Sequence, residues 1–354
     1  MPNNTATAKE PPGKLAQIKQ LAKKITVVLG DPRLPDSVKR NGKFNEEDFL
    51  TLEKLHQSLG ALGTYQFEYL DNHKQMIKHL MAHPPGLVLN LCDEGFNNNA
   101  LHELHVPAML EMLGIPYTGA PPACLAICYN KALVRAFAKE MEIPVPLERY
   151  LEPDKSLTAI PFFPALVKPN LGDSSIGITQ HAIVYNRKKL ANYVAHLREI
   201  LPNVPILIQE YLTGVEYTVG VIGNPGNFTV LPILTVDYSQ LPADLPPILG
   251  YESKWEPDSP YWNAIHYKEA KLSKKLHDQL VNNATKLFAR LDCRDYARFD
   301  FRADQNGTIK LLEANPNPGW CWDGKMNLMA ELSGRSYADL LKLIIEVAEK
   351  RFSV

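Results

Sequence analysis

Short apolar runs separated by amphipathic stretches fill the first third of the chain. The run Ile25-Thr-Val-Val-Leu-Gly30 predicts a buried strand, preceded by a helix over residues 15–24 and followed by a loop over 31–42. A helix over 46–60, a strand over 65–70, a helix over 74–82 and the strand Gly86-Leu-Val-Leu-Asn-Leu91 continue the alternation. A helix over 102–113 and the segment Ile115-Pro-Tyr-Thr-Gly119 close this unit. Strands alternating with helices imply a parallel sheet covered on both faces.

The pattern then changes. A helix over 123–141 leads through Ile143-Pro-Val-Pro146 to the strand Phe163-Pro-Ala-Leu-Val-Lys168, a Gly/Ser loop over 170–177, a helix over 188–197 and the strand Pro205-Ile-Leu-Ile-Gln209. Beyond it the pattern predicts strands over 217–222 and 229–235, an irregular stretch rich in Pro, Asp, Tyr and Trp over 237–267, and a helix over 270–291. A hairpin over 296–315 and a helix over 337–351 finish the chain. Long irregular stretches inside compact domains are often lids or binding loops. The expected division is a polar, disordered tail over 1–14, an N-terminal domain over 15–121, a central lobe over 122–209 and a C-terminal lobe over 210–354.

Composition narrows the function classes. With 354 residues, 45% hydrophobic and 22% charged, the chain can bury an ordinary core without staples. A formal net charge of −1 gives the whole molecule no pull toward nucleic acid or an anionic membrane. No apolar run approaches the roughly 20 residues a bilayer needs. The five cysteines, Cys92, Cys124, Cys128, Cys293 and Cys321, follow no zinc or disulfide pattern and are expected as reduced thiols of a cytoplasmic protein.

The strongest chemical signal is the hairpin. Side chains alternate along a strand, so Arg298, Asp300 and Arg302 share one face and Ala297, Phe299 and Phe301 the other. Asn306-Gly307 marks the turn. On the return strand Ile309, Leu311, Glu313 and Asn315 share a face by the same rule. A two- or four-residue connection sets Arg298 opposite Glu313, with Asp300 on the diagonal. Two carboxylates and an amide oxygen beside an arginine suit Mg²⁺, which favours hard oxygens plus phosphate. Carboxylates and arginines also line solvated hairpins, but the following Pro316-Asn-Pro-Gly319 and Trp320-Cys-Trp322 are unusual for a plain surface turn.

Arg298, Asp300 and the run Leu311-Leu-Glu-Ala-Asn-Pro-Asn-Pro-Gly319 resemble the metal-binding end of ATP-grasp ligases, in particular the D-alanine–D-alanine ligase family. The similarity extends over about two hundred residues. It includes Leu113-Gly-Ile-Pro-Tyr-Thr-Gly119 with Lys131, the segment ending at Lys168 with Asp173-Ser-Ser-Ile-Gly177, and Gln209-Glu-Tyr-Leu-Thr-Gly-Val-Glu216. The resemblance implies a three-domain α/β fold: a Rossmann-like parallel sheet, a small α+β lobe, and a larger α+β lobe with an antiparallel sheet. It implies an ATP-dependent carboxylate–amine ligase working through an acyl phosphate, with amino-acid-like substrates and a homodimer through the N-terminal unit. Asp300, Glu313 and Asn315 would hold two Mg²⁺ ions, with Mn²⁺ as the alternative. Arg298, Ser174 and Lys254 would serve catalysis. Lys131, Lys168, Ser174 and Ser175 would meet the phosphates, Glu216 the ribose, and Gln209, Glu210, Tyr211 and Leu212 the adenine.

The departures from that family cluster where substrates sit. The loop Gly30-Asp-Pro-Arg-Leu-Pro-Asp36 holds no glutamate where the family has one for an ammonium group, and Trp255 follows Lys254 where a tyrosine is usual. Gly324-Lys325 stands where the family's serine receives a carboxylate, so Lys325 is expected to meet a substrate carboxylate. Gly319, Trp320 and Gly324 are expected around it, with Trp320 and Trp322 walling a larger pocket. A ligase acting on a larger amino acid or secondary-metabolite acceptor is the first alternative, and a non-catalytic nucleotide-binding module the second. A dinucleotide-dependent oxidoreductase is disfavoured, because no G-x-G-x-x-G follows the first strand.

Overall fold

The computed structural model describes residues 23–172 and 175–353. The expected tail over 1–14 and most of the helix over 15–24 lie outside the described residues. Lys23 and Lys24, the last two positions of that helix, instead open the first strand.

The N-terminal part comprises β1 (Lys23–Val28), α1 (Glu46–Gly60), β2 (Tyr65–Leu70), α2 (His73–Ala82), β3 (Val88–Asn90) and α3 (His105–Met112). Its sheet is parallel as expected, in the order β2-β1-β3, and Tyr117 extends it by a parallel bridge to Val88. Helix α1 starts where Asn45 and Asp48 form a reciprocal capping box, and it buries Leu55 and Leu59. The single helix expected over 123–141 is two, α4 (Pro122–Cys128) and α5 (Lys131–Glu140). Asn130 is extended between them, and its side chain caps the new helix at the Leu133 amide.

The central lobe holds β4 (Glu148–Leu151), β5 (Ala165–Pro169), β6 (Ile183–Val184), α6 (Arg187–Ile200) and β7 (Ile206–Glu210). Its sheet is antiparallel in the order β4-β7-β5-β6. The C-terminal lobe follows with β8 (Glu216–Asn224), β9 (Asn227–Val230) and β10 (Leu234–Asp237). The one strand expected over 229–235 is thus divided, at Pro232, which has no N–H to give a ladder. The irregular stretch contains α7 (Glu252–Trp255), α8 (Pro260–Ala264) and β11 (His266–Glu269), short elements with no long apolar period. Then come α9 (Lys274–Arg290), β12 (Tyr296–Ala303), β13 (Ile309–Asn315), α10 (Lys325–Leu332) and α11 (Tyr337–Phe352). The main antiparallel path is β11-β10-β8-β12-β13, with β9 on β8.

The hairpin register differs from expectation. The connection runs over 304–308, longer than two or four residues, and Ala303 pairs with Ile309, Arg302 with Lys310 and Phe301 with Leu311. A bulge then skips Leu312, so Asp300 lies directly opposite Glu313 and Arg298 opposite Asn315. The extra residue also reverses the facing of β13. Ile309, Leu311 and Ala314 join Phe299 and Phe301 in the core, whereas Glu313 and Asn315 lie on the other face, with Asp300.

Two of the hydrophobic cores show how the parts are joined. Strand residues Ile25, Val27 and Leu89 share one cluster with Met326 and Met329 of α10 and with Leu341, Ile344 and Ile345 of α11. The central lobe has its own, built from β5, β7 and α6 around Val167, Ile208 and Leu197. Asp295 stitches the first body together: fully buried, it accepts from Arg351, from the Gly119 amide and from Asn224. Cys124, Cys128 and Cys293 meet in the core beneath β12, with sulfurs 3.7 and 4.0 Å from Cys124, and all five cysteines are free thiols. No described helix is long and apolar enough to cross a membrane.

Candidate active site

The bulged hairpin supplies an acidic floor. Asp300 is buried and accepts hydrogen bonds from Thr218 Oγ1 (2.8 Å), Arg298 Nε and Nη2 (3.3 and 3.2 Å) and Asn315 Nδ2 (3.1 Å). Burial alone would raise its pKa, but Arg298 and Lys325, with these hydrogen bonds, bring it down to about 2. Asp300 is therefore a permanent anion at neutral pH. Glu313 faces it, partly exposed, and ion-pairs with Lys131 at 3.6 Å.

Lysines come from the other side. Asn130 and Asn170 clamp each other: the Asn170 side chain donates to Asn130 and accepts from the Ala132 amide, while its carbonyl accepts from the Lys131 amide. That clamp sets Lys131, at the start of α5, beside the end of β5, where Lys168 is buried. Burial first, then the charge of Lys131, pulls Lys168 down to about 8.

A cavity of about 120 Å³ lies between the lobes, and Lys131, Lys168, Arg298, Asp300 and Glu313 occupy one end. Gln209, Glu210, Tyr211, Leu212, Glu216, Ser175 and Lys254 also line it. Gln209 Nε2 donates to Glu148, which directs its amide oxygen the other way. The Glu210 carboxylate is spent on the Leu147 amide and Lys310, and its own amide donates to the Leu147 carbonyl. Glu216 is buried between Arg302 Nη1 at 3.4 Å and Tyr238 OH at 2.9 Å; burial raises its pKa and Arg302 opposes the shift. Arg302, a hairpin residue the sequence left without a role, packs against Tyr211 and Tyr238 and bonds the carbonyls of Gly214 and Pro247.

The loop over the cavity touches the stretch from 249 to 252. Ser175 Oγ donates to the Leu249 carbonyl, Tyr251 N to the Ile178 carbonyl and Gln180 N to Glu252. Ser175 adopts φ 60°, a left-handed turn. Ser174 lies outside the described residues.

Lys325, expected to meet a substrate carboxylate, points into this first cavity, with its ammonium 4.9 Å from the Tyr267 ring. Burial lowers its pKa against the pull of Asp300. Trp320 and Trp322 do not line this cavity or the one beside it. Trp320 is buried, donating to the Leu91 carbonyl (2.8 Å) and Asp93 (3.2 Å), and Trp322 packs on the core shared by the N- and C-terminal parts. Gly324 caps α10.

A second cavity, about 250 Å³, adjoins the first through Lys254 and Arg298, and Asn315, Gly319 and Trp255 also line it. Its far wall carries Asp36, Lys39, Asp93, Glu94 and Glu103, none of which the sequence singled out. They sit in loops of the N-terminal part, far from the hairpin in sequence, and carry no periodic or motif signal. Among the described residues no three histidine, cysteine or acidic side chains converge as metal ligands. Asp300, Glu313 and Asn315 supply oxygens for part of an octahedral shell, so a magnesium ion there would need phosphate or water oxygens to complete it. The donor set fits.

Comparison with known proteins yields a consistent picture. A family model described as the D-ala D-ala ligase C-terminus matches residues 149–346. An uncharacterized protein of Sinorhizobium fredii is 30% identical over 281 residues, 77% of each chain. A D-alanine–D-alanine ligase of Haemophilus influenzae is 28% identical, over 74% of this chain and 86% of that one. The crystal structure of a D-alanine–D-alanine ligase from Bacillus anthracis complexed with ATP has the same fold, with a TM-score of 0.70 at 20% identity, covering 94% of this chain and 99% of that one.

Proposed function

The chain belongs to the D-alanine–D-alanine ligase family and is an ATP-grasp ligase, and from that premise we propose that it joins an amino acid's carboxylate to an amine through an acyl phosphate, releasing ADP and phosphate. The observation that carries this reading is the meeting of Asp300 and Glu313 with Lys131, Lys168 and Arg298 in the interlobe cavity, with Asn315 bonded to Asp300. Opposite charges gathered there suit a polyphosphate and its counter-ions.

In this reading the central lobe, 122–209, and the C-terminal lobe, 210–354, hold ATP between them. Gln209 offers its amide oxygen and Glu210 to Leu212 their backbone to the adenine, and Glu216 receives the ribose hydroxyls. Lys131 and Lys168 bind phosphate oxygens, with Ser174 and Ser175 closing over the terminal one. Asp300, Glu313 and Asn315 would hold magnesium, or manganese in its place; the bound ions supply charge neutralisation at the transferring phosphoryl group.

The substrate carboxylate attacks the γ-phosphorus in line, and ADP departs. Arg298, fixed by Asp300, then steadies the acyl phosphate with its planar fork. The amine attacks the carbonyl carbon, and phosphate leaves as the amide forms. Lys254, on the lid element α7 and bordering both cavities, tracks the phosphoryl group between them. Most of the acceleration comes from positioning and charge.

The test is ADP release from ATP with D- and L-amino acids, with product masses recorded. Wild type should turn over with at least one amino acid. Asp300→Asn should lower kcat by at least about 100-fold with its melting temperature retained. Chelator should abolish turnover and Mg²⁺ or Mn²⁺ restore it. No release with any amino acid, or an active Asp300→Asn, overturns the reading.

A further inference from the structure

The second cavity is electrically lopsided. The end that joins the phosphate site is cationic, with Lys254 and Arg298. The far end holds Asp36, Asp93, Glu94 and Glu103 against one lysine, Lys39, which is divided between Glu94 (3.2 Å) and Asp48 (2.8 Å). Two of those acids are visibly uncomfortable. The Glu94 side chain is nine-tenths buried, and its Oε2 has no hydrogen-bond partner. Burial, then the neighbouring charge of Glu94, pushes Asp93 far above the usual carboxylate range. Glu103, by contrast, is satisfied by Tyr129 and by Asn317 (2.9 Å).

Buried acids without enough cations are costly unless a ligand brings the missing charge. The wall is also held in place. Trp320 fixes Asp93, and a Cβ on Gly30 would lie 2.5 Å from Glu94 Cδ, so the glycine keeps the space that Glu94 occupies. The cavity, about 250 Å³, has room for an organic cation.

Resting on the ligase reading, we propose that the activated substrate is a basic amino acid, whose second nitrogen, an ammonium or guanidinium, is received by Glu94 and Asp93 while its carboxylate meets the Arg298 end. A neutral amino acid offers only its α-ammonium to this wall of four acids. A second cation supplies Glu94 Oε2 with a donor and lets Asp93 ionise beside it.

The probes are ornithine, lysine and arginine against their uncharged counterparts norvaline, norleucine and citrulline, each as D- and L-isomer. ADP release is measured with each alone and with alanine as second substrate. Wild type should favour the basic member by at least tenfold in kcat/KM. Glu94→Gln should bring that ratio toward one by raising KM for the basic amino acid, with KM for ATP unchanged. Asp93→Asn is the second variant, and a thermal shift with ornithine but not norvaline, without ATP, reads binding apart from turnover. Equal or better turnover of the uncharged members, or an undiminished ratio in folded Glu94→Gln, overturns this inference alone. Absence of ADP release with every amino acid overturns the ligase reading and this inference with it.

Discussion

Lys168 carries a usable consequence of its burial. A lysine held near 8 is cationic below that pH and neutral above it, so its contribution to phosphate binding fades as pH rises. Because kcat/KM reports the free enzyme, kcat/KM for ATP should fall through a pKa of about 8. Lys168→Arg should remove that limb of the profile, since arginine stays charged throughout, and a pH series on both proteins checks it. Residues on regular strands were readable in advance: alternation alone put Arg298, Asp300 and Arg302 on one face. Asp93, Glu94 and Glu103 were not, because a loop has no period, and only the tertiary fold brings them to Arg298 and Asn315. Lys325 was singled out in advance, and its long side chain reaches the first cavity from the start of α10.

At the scale of elements, the hairpin's existence and turn were legible and its register was not. A strict alternation from Ile309 to Asn315 would put two leucine-type side chains and two site residues on one face. The bulge at Leu312 resolves that conflict, and nothing in local composition announces it. Deleting Leu312 should therefore give an unbroken ladder that keeps Asp300 opposite Glu313, Arg298 opposite Asn315 and Ala314 in the core. The expected result is a folded protein that retains most of its turnover. Leu312→Ala, which keeps the bulge, should likewise retain a folded site and most activity; loss of turnover in either variant, assayed side by side, would count against this register. The break between α4 and α5 is a similar case. Helical periodicity runs through 123–141, but the Asn130–Asn170 clamp outbids continuity and presents Lys131 to the phosphate end.

For the whole molecule, alternating strands and helices were enough to predict the parallel sheet, whereas the antiparallel sheet of the C-terminal lobe came from the family resemblance and the antiparallel pairing of the central lobe was not foreseen. How the parts share cores was hidden, since a buried leucine looks the same whichever neighbour covers it. The first sheet does not close on itself: Ile25, Val27 and Leu89 are covered by α10 and α11 from the far end of the sequence. This has a practical bearing on what can be produced in isolation. A truncated gene product spanning 149–346, the stretch matched by the family model, would keep Met329, Leu341 and Ile344 but lose the strands that cover them. An uncovered apolar slab of that kind drives precipitation. Such a fragment should bind a hydrophobic dye, melt without cooperativity and fall out of solution, whereas adding back the first 148 residues should rescue it.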